Sequence, residues 1–204
     1  MIDSLYSNLR YVLELTLPMM FVSLVLLISV RISYLLKHKS KFVLHKEIFL
    51  LFFASYILCL FQVVTSQDIN TSSGNNFVPF VEIMRYELFG KYFVKNIIGN
   101  VIMFIPYGFF VSKYASGKSF VLTSFLVFLA SFSIECTQLA IGRVFDVDDI
   151  ILNVLGGIIG YFIYRLFNKL YSMLPRLFKT NLFLNMFSIV ILISAVVFVF
   201  VLMT

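Results

Sequence analysis

Six long apolar runs constrain what this chain can fold into more than any other feature. They are Val12–Val30, Ile48–Val64, Ile97–Val111, Phe120–Leu139, Ile150–Tyr164 and Leu182–Met203. A helix needs about 20 apolar residues to cross the hydrocarbon of a bilayer. The third and fifth runs reach that length if the residues just before them, Lys91–Asn96 and Val147–Asp149, continue the helix. The sequence therefore predicts an all-α, polytopic membrane protein with about six transmembrane helices.

The composition excludes a soluble domain. Of the 204 residues, 61% are hydrophobic and only 13% are charged, against roughly 25% charged residues in a soluble domain. The runs and the polar stretches between them divide the chain into four predicted parts. These are two N-terminal transmembrane helices (1–65), an extracytoplasmic loop (66–92), a three-helix core (93–167), and a cytoplasmic loop with the last helix (168–204).

The distribution of basic residues predicts the orientation in the membrane. Eleven of the sixteen Lys and Arg residues follow the first, third and fifth runs: Arg31, Lys37, Lys39, Lys41, Lys46, Lys113, Lys118, Arg165, Lys169, Arg176 and Lys179. The positive-inside rule places these loops in the cytoplasm and both termini outside. This bias accounts for the net charge of +6 without a nucleic-acid partner, and membrane lipids are the expected surroundings.

The longest polar stretch separates the second and third runs. Its Ser, Asn and Gly residues over 66–76 predict an exposed loop, and residues 81–89 predict a short helix. Phe80, Ile83, Met84 and Leu88 fit one apolar face of that helix, which is the pattern of a helix that lies on the outer leaflet.

The third run begins with two asparagines, Asn96 and Asn100, that share a helix face because they are four residues apart. Gly99 between them predicts the close approach of another helix. Asparagines between membrane helices either form structural hydrogen bonds or belong to a functional site. This pair alone leaves both interpretations open.

The fourth run ends in a second polar group. Glu135 and Gln138 are three residues apart and share a helix face with Ser131, and Gly142 is placed to end the helix in a left-handed conformation. Ionisable groups at membrane depth are costly, so they mark a functional site by default. The structural alternative is that Glu135 pairs with Asn, Gln or Arg143 and holds two helices together.

The connection to the fifth run carries Arg143 and three aspartates. Asp146 or Asp148 would cap the fifth helix, and Asp148 and Asp149 suit its positive end. One cap needs one aspartate, so the others are candidates for a second role. No cofactor is predicted; if a divalent cation such as Mg²⁺ or Ca²⁺ binds, these three carboxylates are its candidate ligands.

The fifth run is predicted to form the central helix. Asp149, Asn153 and Gly157 line one of its faces at intervals of four residues. Gly156 and Gly160 form a pair of small residues that permits close helix packing. Such packing serves either the chain itself or a dimer, so the oligomeric state stays open.

Depth along the helices brings the polar residues together. Counted inward from the outer ends, five of them lie within roughly 5–15 Å of the membrane surface: Asn96, Asn100, Glu135, Gln138 and Asn153. The other four, Arg143, Asp146, Asp148 and Asp149, lie above these. The third, fourth and fifth helices are therefore predicted to enclose an outward-facing polar vestibule, and the nine residues are its candidate ligand-binding residues.

Four motifs in fixed order carry a family resemblance. They read Asn76-Phe-Val-Pro-Phe80, Asn96-x3-Asn100-x3-Phe104-x-Pro106-x-Gly108, Glu135-x2-Gln138 and Arg143-x2-Asp146-x-Asp148-Asp149-x3-Asn153-x2-Gly156. Together they resemble the VanZ-like family of bacterial membrane proteins over about Asn76–Phe167, without the first two spans and the last. The resemblance implies a Gram-positive plasma membrane and a link to susceptibility to lipoglycopeptide antibiotics of the teicoplanin type.

Three functional hypotheses follow for the vestibule. In the first, it binds a lipid-anchored ligand, either the antibiotic or a lipid-linked cell-wall precursor, with Arg143 holding an anionic group. In the second, it is an enzyme site for a lipid-linked substrate with Glu135 as the catalytic acid or base. In the third, Glu135 relays protons in a carrier. No Ser–His or Cys–His pairing is evident in the sequence, which disfavours nucleophilic triad chemistry.

Overall fold

The structure is a computed structural model that describes residues 2–39, 41–66, 74–87, 90, 92–115 and 119–203. These ranges contain seven α-helices: α1 (Ile2–His38), α2 (Leu44–Ser66), α3 (Val81–Arg85), α4 (Gly99–Tyr114), α5 (Phe120–Ala140), α6 (Val147–Met173) and α7 (Asn181–Met203). A π-helical segment, Phe93–Ile98, leads into α4, and a 3₁₀ turn, Arg176–Lys179, precedes α7. Within the described ranges, β-structure is limited to one bridge between Asn76 and Asp146.

Six helical segments in the described part of the chain are long and apolar enough to cross a membrane. They are Leu17–His38, Leu44–Val64, Phe93–Tyr114, Phe120–Ala140, Val147–Met173 and Asn181–Val201. The predicted all-α, polytopic membrane fold is thereby confirmed. Because α6 begins at Val147 and helical structure precedes α4 from Phe93, residues 93–96 and 147–149 continue the helices of the third and fifth runs, while Lys91 lies outside the described residues.

Several predicted span ends are wrong. The fifth span was expected to end at Tyr164, but α6 continues to Met173, so Arg165 and Lys169 lie in a helix and not in a loop. The first span was expected over Val12–Val30, whereas α1 runs from Ile2 to His38. The reason is the same in both cases. Arg, Lys and Leu are good helix formers, so the end of an apolar run is not the end of the helix.

The described helices fall into two compact units, Met1–Ser66 with Leu174–Thr204 and Gln67–Met173. In the first unit, α1 and α7 both contact α2. Arg31 on α1 forms a two-point ion pair with Glu47 on α2, with N···O distances of 2.8 and 3.0 Å. Asn185 on α7 accepts a hydrogen bond from the backbone N–H of His45 (3.0 Å). These polar contacts fix the three helices at one end.

The second unit is a three-helix bundle in which α6 packs against both α4 and α5. Glycines bring α6 and α4 into backbone contact. A Cβ atom on Gly156 would lie 2.1 Å from the carbonyl oxygen of Val101, and one on Gly160 would lie 2.1 Å from that of Ile105. The predicted small-residue packing is therefore confirmed, and within the chain it joins α6 to α4. Gly99 does not take part, because its Cβ would meet only Val94 O at 3.8 Å.

The predicted interfacial helix is shorter than expected. It is the single turn α3, Val81–Arg85, and the chain is already extended at Tyr86. Phe80 and Met84 are 50% and 81% exposed, as an apolar surface requires. Leu88, the fourth residue of the predicted apolar face, lies outside the described residues. Directly after the helix, the Tyr86 hydroxyl accepts a hydrogen bond from Asn96 (2.8 Å), which joins this segment to the helical segment before α4.

Candidate functional site

The buried face of α5 carries the first part of the site. Thr123, Val127, Ser131, Glu135 and Gln138 recur at intervals of three or four residues and are all buried. Glu135 is only 1% exposed. A period of three to four places these side chains on one stripe of the helix, and this stripe faces α6.

The end of α5 places Arg143 beside that stripe. Gly142 adopts a left-handed conformation with φ of 84°. The N–H of Gly142 donates to Leu139 O (3.1 Å) and the N–H of Arg143 donates to Gln138 O (2.9 Å). These two bonds form a Schellman motif, which confirms the predicted role of Gly142. The helix therefore ends before Gly142, and the backbone of Arg143 is hydrogen-bonded to the last turn of α5.

Glu135, Gln138 and Arg143 form a hydrogen-bonded chain. In the amide orientation that satisfies both neighbours, Gln138 donates to Glu135 Oε1 (2.8 Å) and accepts from the Arg143 guanidinium. Glu135 Oε2 accepts from the backbone N–H of Asp146 (3.0 Å). Both carboxylate oxygens of this buried residue thus have a donor, which is what a carboxyl group away from water requires.

Asp146 joins two distant segments of the chain. Its Oδ1 accepts from the backbone N–H of Asp148 (2.8 Å), so Asp146 is the N-cap of α6. The same oxygen accepts from the Asn76 side chain (2.8 Å). The backbone N–H of Asn76 also donates to Phe145 O (2.8 Å). Burial raises the pKa of the Asp146 carboxyl, and the two hydrogen bonds that it accepts oppose that rise.

Asp148 binds the N-terminus of α3. Its two oxygens accept from the backbone N–H groups of Phe80, Glu82 (2.8 Å) and Ile83 (3.2 Å). These are donors that a helix leaves unsatisfied at its first turn. Asp148 is 1% exposed. The sequence placed Asp148 on its own helix as a cap or at the mouth of a vestibule; in the structure its carboxylate caps α3, 65 to 68 residues earlier in the chain.

The remaining asparagines pair across helices. Asn100 at the start of α4 donates to Asp149 on α6. Asn153 on α6 donates to Ser131 Oγ on α5 (2.9 Å), and among the described residues the buried Oδ1 of Asn153 has no hydrogen-bond partner. Asn96 lies in the π-helical segment and binds Tyr86 instead. The two predicted face-sharing asparagines therefore contact different elements.

Three hydrogen-bonded groups meet at the ends of α4, α5 and α6, and we name them together the polar cluster: Glu135, Gln138, Arg143, Asp146, Asp148 and Asn76; Asn100 and Asp149; and Ser131 and Asn153. It contains four carboxyl groups and one guanidinium. Arg143 acts electrostatically on both Glu135 and Asp149. The cluster lies where the N-terminal ends of α4 and α6 meet the C-terminal end of α5, and it includes eight of the nine candidate ligand-binding residues.

The sequence matches a model of a known protein family. The family model described as VanZ/LLP1 matches residues 47–168, which is more than half of the chain. The chain belongs to the VanZ/LLP1 family. Comparisons with curated proteins and with solved structures gave no match.

The VanZ/LLP1 match is wider than the sequence motifs indicated. The motifs span Asn76–Phe167, but the family match begins at Glu47 and includes nearly all of α2. The statement that the second span lies outside the family was therefore wrong. No polar motif marks α2, since it carries no charge after Glu47. An apolar helix of this kind gives little local signal by which to recognise its family.

Two residues of the polar cluster, and one that contacts its neighbour Phe145, were not predicted as site residues. Ser131 receives the hydrogen bond of Asn153, and Asn76 holds Asp146. Each had a signal in the sequence: Ser131 is one helical turn before Glu135, and Asn76 begins the first family motif. Asn75 also contributes, since its side chain accepts from the N–H of Phe145 (3.0 Å). These contacts bind the loop before α3 to the loop before α6.

The carboxyl groups of the cluster are directed mainly at nitrogen donors. Within the described residues, no group of three or more His, Cys, Asp or Glu side chains is arranged to hold a metal ion. Asp146 and Asp148, two of the three candidate metal ligands, accept hydrogen bonds from backbone N–H groups. The geometry gives no support to a cation held by the three aspartates.

The predicted outward-facing vestibule stays a prediction. Four of its nine residues, Glu135, Gln138, Asp148 and Asn153, are buried. The other five are partly exposed: Asn96, Asn100, Arg143, Asp146 and Asp149. A ligand would therefore reach the second group first, and among these five, Arg143 and Asp146 are hydrogen-bonded to buried residues of the first group.

An apolar groove lies beside the cluster. It has a volume of about 490 Å³ and is lined by Phe128, Phe132, Phe145, Val147, Ile150, Ile151 and Val154. Its walls are next to the polar residues in sequence, since Phe145 and Val147 flank Asp146. The apolar groove and the polar cluster are thus both built largely from residues of α5 and α6. Phe145 also stacks on Phe77, with ring centroids 5.3 Å apart, and Phe77 is 66% exposed.

Proposed function

We propose that this VanZ/LLP1 protein binds a lipid-anchored ligand at the outer leaflet of a Gram-positive plasma membrane and thereby contributes to resistance against lipoglycopeptides of the teicoplanin type. The observation that carries the proposal is the meeting of the polar cluster with the apolar groove on α5 and α6. A ligand with a polar head and an acyl chain needs both surfaces side by side. In this arrangement the groove holds the acyl chain and the cluster binds the head.

The partly exposed residues of the cluster supply the head-group contacts. Asn100 and Asp149 offer amide and carboxyl groups to hydroxyl and amide groups of the ligand, and Arg143 holds an anionic group. Arg143 is suited to this because guanidinium binds carboxylates in a fixed geometry. In this proposal the segment before and within α3 lies at the membrane interface. The exposure of its apolar residues supports this position: Phe77, Val78, Phe80 and Val81.

The charge of the cluster favours one ligand over the other. The cluster contains a single guanidinium, that of Arg143, to pair with a diphosphate, which is the head group that links a cell-wall precursor to its lipid. A glycopeptide carries hydroxyl and amide donors that carboxylates accept. The proposal therefore names the antibiotic as the ligand, and it predicts weaker binding of diphosphate lipids.

The buried position of Glu135 favours binding over catalysis. A general acid or base must reach the proton that it transfers, but Glu135 is 1% exposed and both of its oxygens accept hydrogen bonds within the protein. In the proposed function Glu135 positions Gln138 and, through it, Arg143.

Substitutions of Glu135 and Arg143 in cells test this assignment. Glu135→Gln keeps the shape and one acceptor, but its amide N–H₂ would face either Gln138 or the Asp146 N–H. We therefore expect a partial loss of teicoplanin protection in a susceptible Gram-positive host, measured as the minimal inhibitory concentration. Arg143→Gln should weaken ligand binding about tenfold or more, because a hydrogen bond to a charged group contributes roughly 1.5–3 kcal/mol, and should lose protection.

Equal membrane levels of each variant, measured by immunoblot, are required for this comparison. Lys169→Gln on the exposed surface of α6 is the matched control for loss of a positive charge and should protect fully. A larger loss of protection in Glu135→Gln than in Arg143→Gln, at equal protein level, would support proton transfer by Glu135 and contradict a pure binding function.

A further inference from the structure

A second cavity lies in the first unit, between α1 and α2. Its volume is about 550 Å³, and its apolar walls include Leu27, Leu35, Phe42, Ile48, Leu51 and Ala54. This volume falls within the roughly 300–1,000 Å³ of ordinary ligand pockets. The proposed function assigns no role to this cavity. We refer to it below as the α1–α2 pocket.

Charged residues are concentrated at one end of the α1–α2 pocket. Arg31 and Glu47 belong to its wall and neutralise each other through their two-point ion pair. The helix connection, taken with the adjoining last turn of α1 and first turn of α2, adds four lysines, all exposed: Lys37, Lys39, Lys41 and Lys46. From residue 31 to residue 47 there are five Lys and Arg residues and one acidic residue, which gives a net charge of +4.

Chain connectivity places these lysines at the end of the pocket. The pocket-lining stretches 27–35 and 42–54 lie on either side of the helix connection, so the chain between them closes that end. Lys41 immediately precedes the pocket residue Phe42, and Lys46 precedes Glu47. The apolar cavity lies between two helices that can span a membrane. One of its ends is therefore next to basic residues, at the point where the two helices are connected.

We propose that the α1–α2 pocket is a binding site for an anionic phospholipid. One acyl chain occupies the apolar cavity, and the phosphate of the head group lies against the lysines of the helix connection. Charge complementarity selects this occupant, because basic residues next to a membrane span attract anionic head groups and a zwitterionic lipid gains little from them. The ion pair of Arg31 and Glu47 keeps the Glu47 carboxylate from repelling the phosphate.

Lipid selectivity of the purified full chain tests this site. The protein is extracted from bilayers with equal amounts of phosphatidylglycerol and phosphatidylcholine, and the retained lipids are counted by native mass spectrometry. The unaltered chain is expected to retain phosphatidylglycerol in excess. Replacing both Lys37 and Lys41 with Gln should lower that preference about tenfold or more. Each lysine near an anionic surface raises the affinity about fivefold.

Two further variants separate a site from general surface attraction. Lys169→Gln with Arg176→Gln removes the same charge from another exposed surface and should leave the preference unchanged. Ala54→Phe fills the pocket and should lower phosphatidylglycerol retention with all lysines present. Equal losses in the two charge-removal pairs, or full retention by Ala54→Phe, would overturn the proposal.

Discussion

Replacing Gly156 with alanine is expected to destabilise the three-helix bundle by about 2 kcal/mol. The new Cβ would lie 2.1 Å from the carbonyl oxygen of Val101, and a backbone atom cannot rotate away as a side chain can. Overpacking of a core costs roughly 1–3 kcal/mol and sometimes more, while the gain in helix propensity from glycine to alanine is only about 1 kcal/mol. The steric cost therefore exceeds the gain.

Unfolding of the detergent-solubilised protein, followed by its thermal midpoint, measures this effect. Gly99→Ala is the matched control, because the nearest atom to its Cβ is 3.8 Å away, and it should be neutral or slightly stabilising. Gly160→Ala, which meets Ile105 O at 2.1 Å, should resemble Gly156→Ala. An unchanged midpoint for Gly156→Ala would show that α4 and α6 do not pack at backbone contact.

Replacing Asp148 with alanine is expected to release α3 from α6. Three backbone N–H groups would lose a buried charged acceptor, and breaking such an arrangement costs about 3 kcal/mol or more. Hydrogen exchange of residues 80–85 should accelerate strongly, since the N-terminus of α3 would have no other described acceptor from α6. Asp148→Asn keeps one carbonyl oxygen and should give an intermediate effect.

Glu82→Gln serves as the control for a lost carboxylate in the same region. Glu82 pairs with Arg85 (2.9 Å) at the surface, where the Arg85 side chain is 65% exposed. Exposed ion pairs contribute about 0–1 kcal/mol, so Glu82→Gln should change hydrogen exchange little. If Asp148→Ala were as mild as Glu82→Gln, Asp148 would not hold α3, and its carboxylate would be available for another role.

Local rules predicted the parts of the fold that local forces determine. Gly142 ends α5 and Asp146 caps α6 because helix termini need a left-handed residue or an N-cap within one turn. Gly156 and Gly160 mark close packing because nothing else requires glycine in a membrane helix at that spacing. Helix ends such as Met173 were missed, since charged residues with high helix propensity extend a helix beyond its apolar segment.

Contacts between distant segments could not be predicted from the sequence. Depth along the helices placed Glu135 and Gln138 in one set and Arg143 in the set above it, and the structure joins these three side chains by hydrogen bonds. The sequence did not indicate that Asp148 accepts hydrogen bonds from the backbone of residues 80–83, because no pattern within either segment identifies the other as its partner. The carboxylate was therefore interpreted as available for a ligand, whereas its hydrogen-bond capacity is used to hold the segment before α4.

The α3 contact joins the proposed binding surfaces to one another. Asp148 holds α3, Asp146 holds Asn76, and both aspartates lie at the start of α6 beside the groove residue Val147. The exposed residues Phe77 and Phe80 are therefore fixed relative to the polar cluster. A ligand that inserts its acyl chain at the groove would meet an interfacial segment already in place, which reduces the ordering cost of binding.

Direct binding of teicoplanin, with and without its acyl chain, to the purified protein in nanodiscs tests the central claim that the groove and the cluster act together. Empty nanodiscs correct for partition into lipid. We expect saturable binding of teicoplanin, at least about tenfold weaker binding of the deacylated form because burial of each CH₂ contributes about 0.8 kcal/mol, and weak binding when Val154→Phe fills the groove. Equal binding of the two forms, or no saturable binding above empty nanodiscs, would contradict the proposed function.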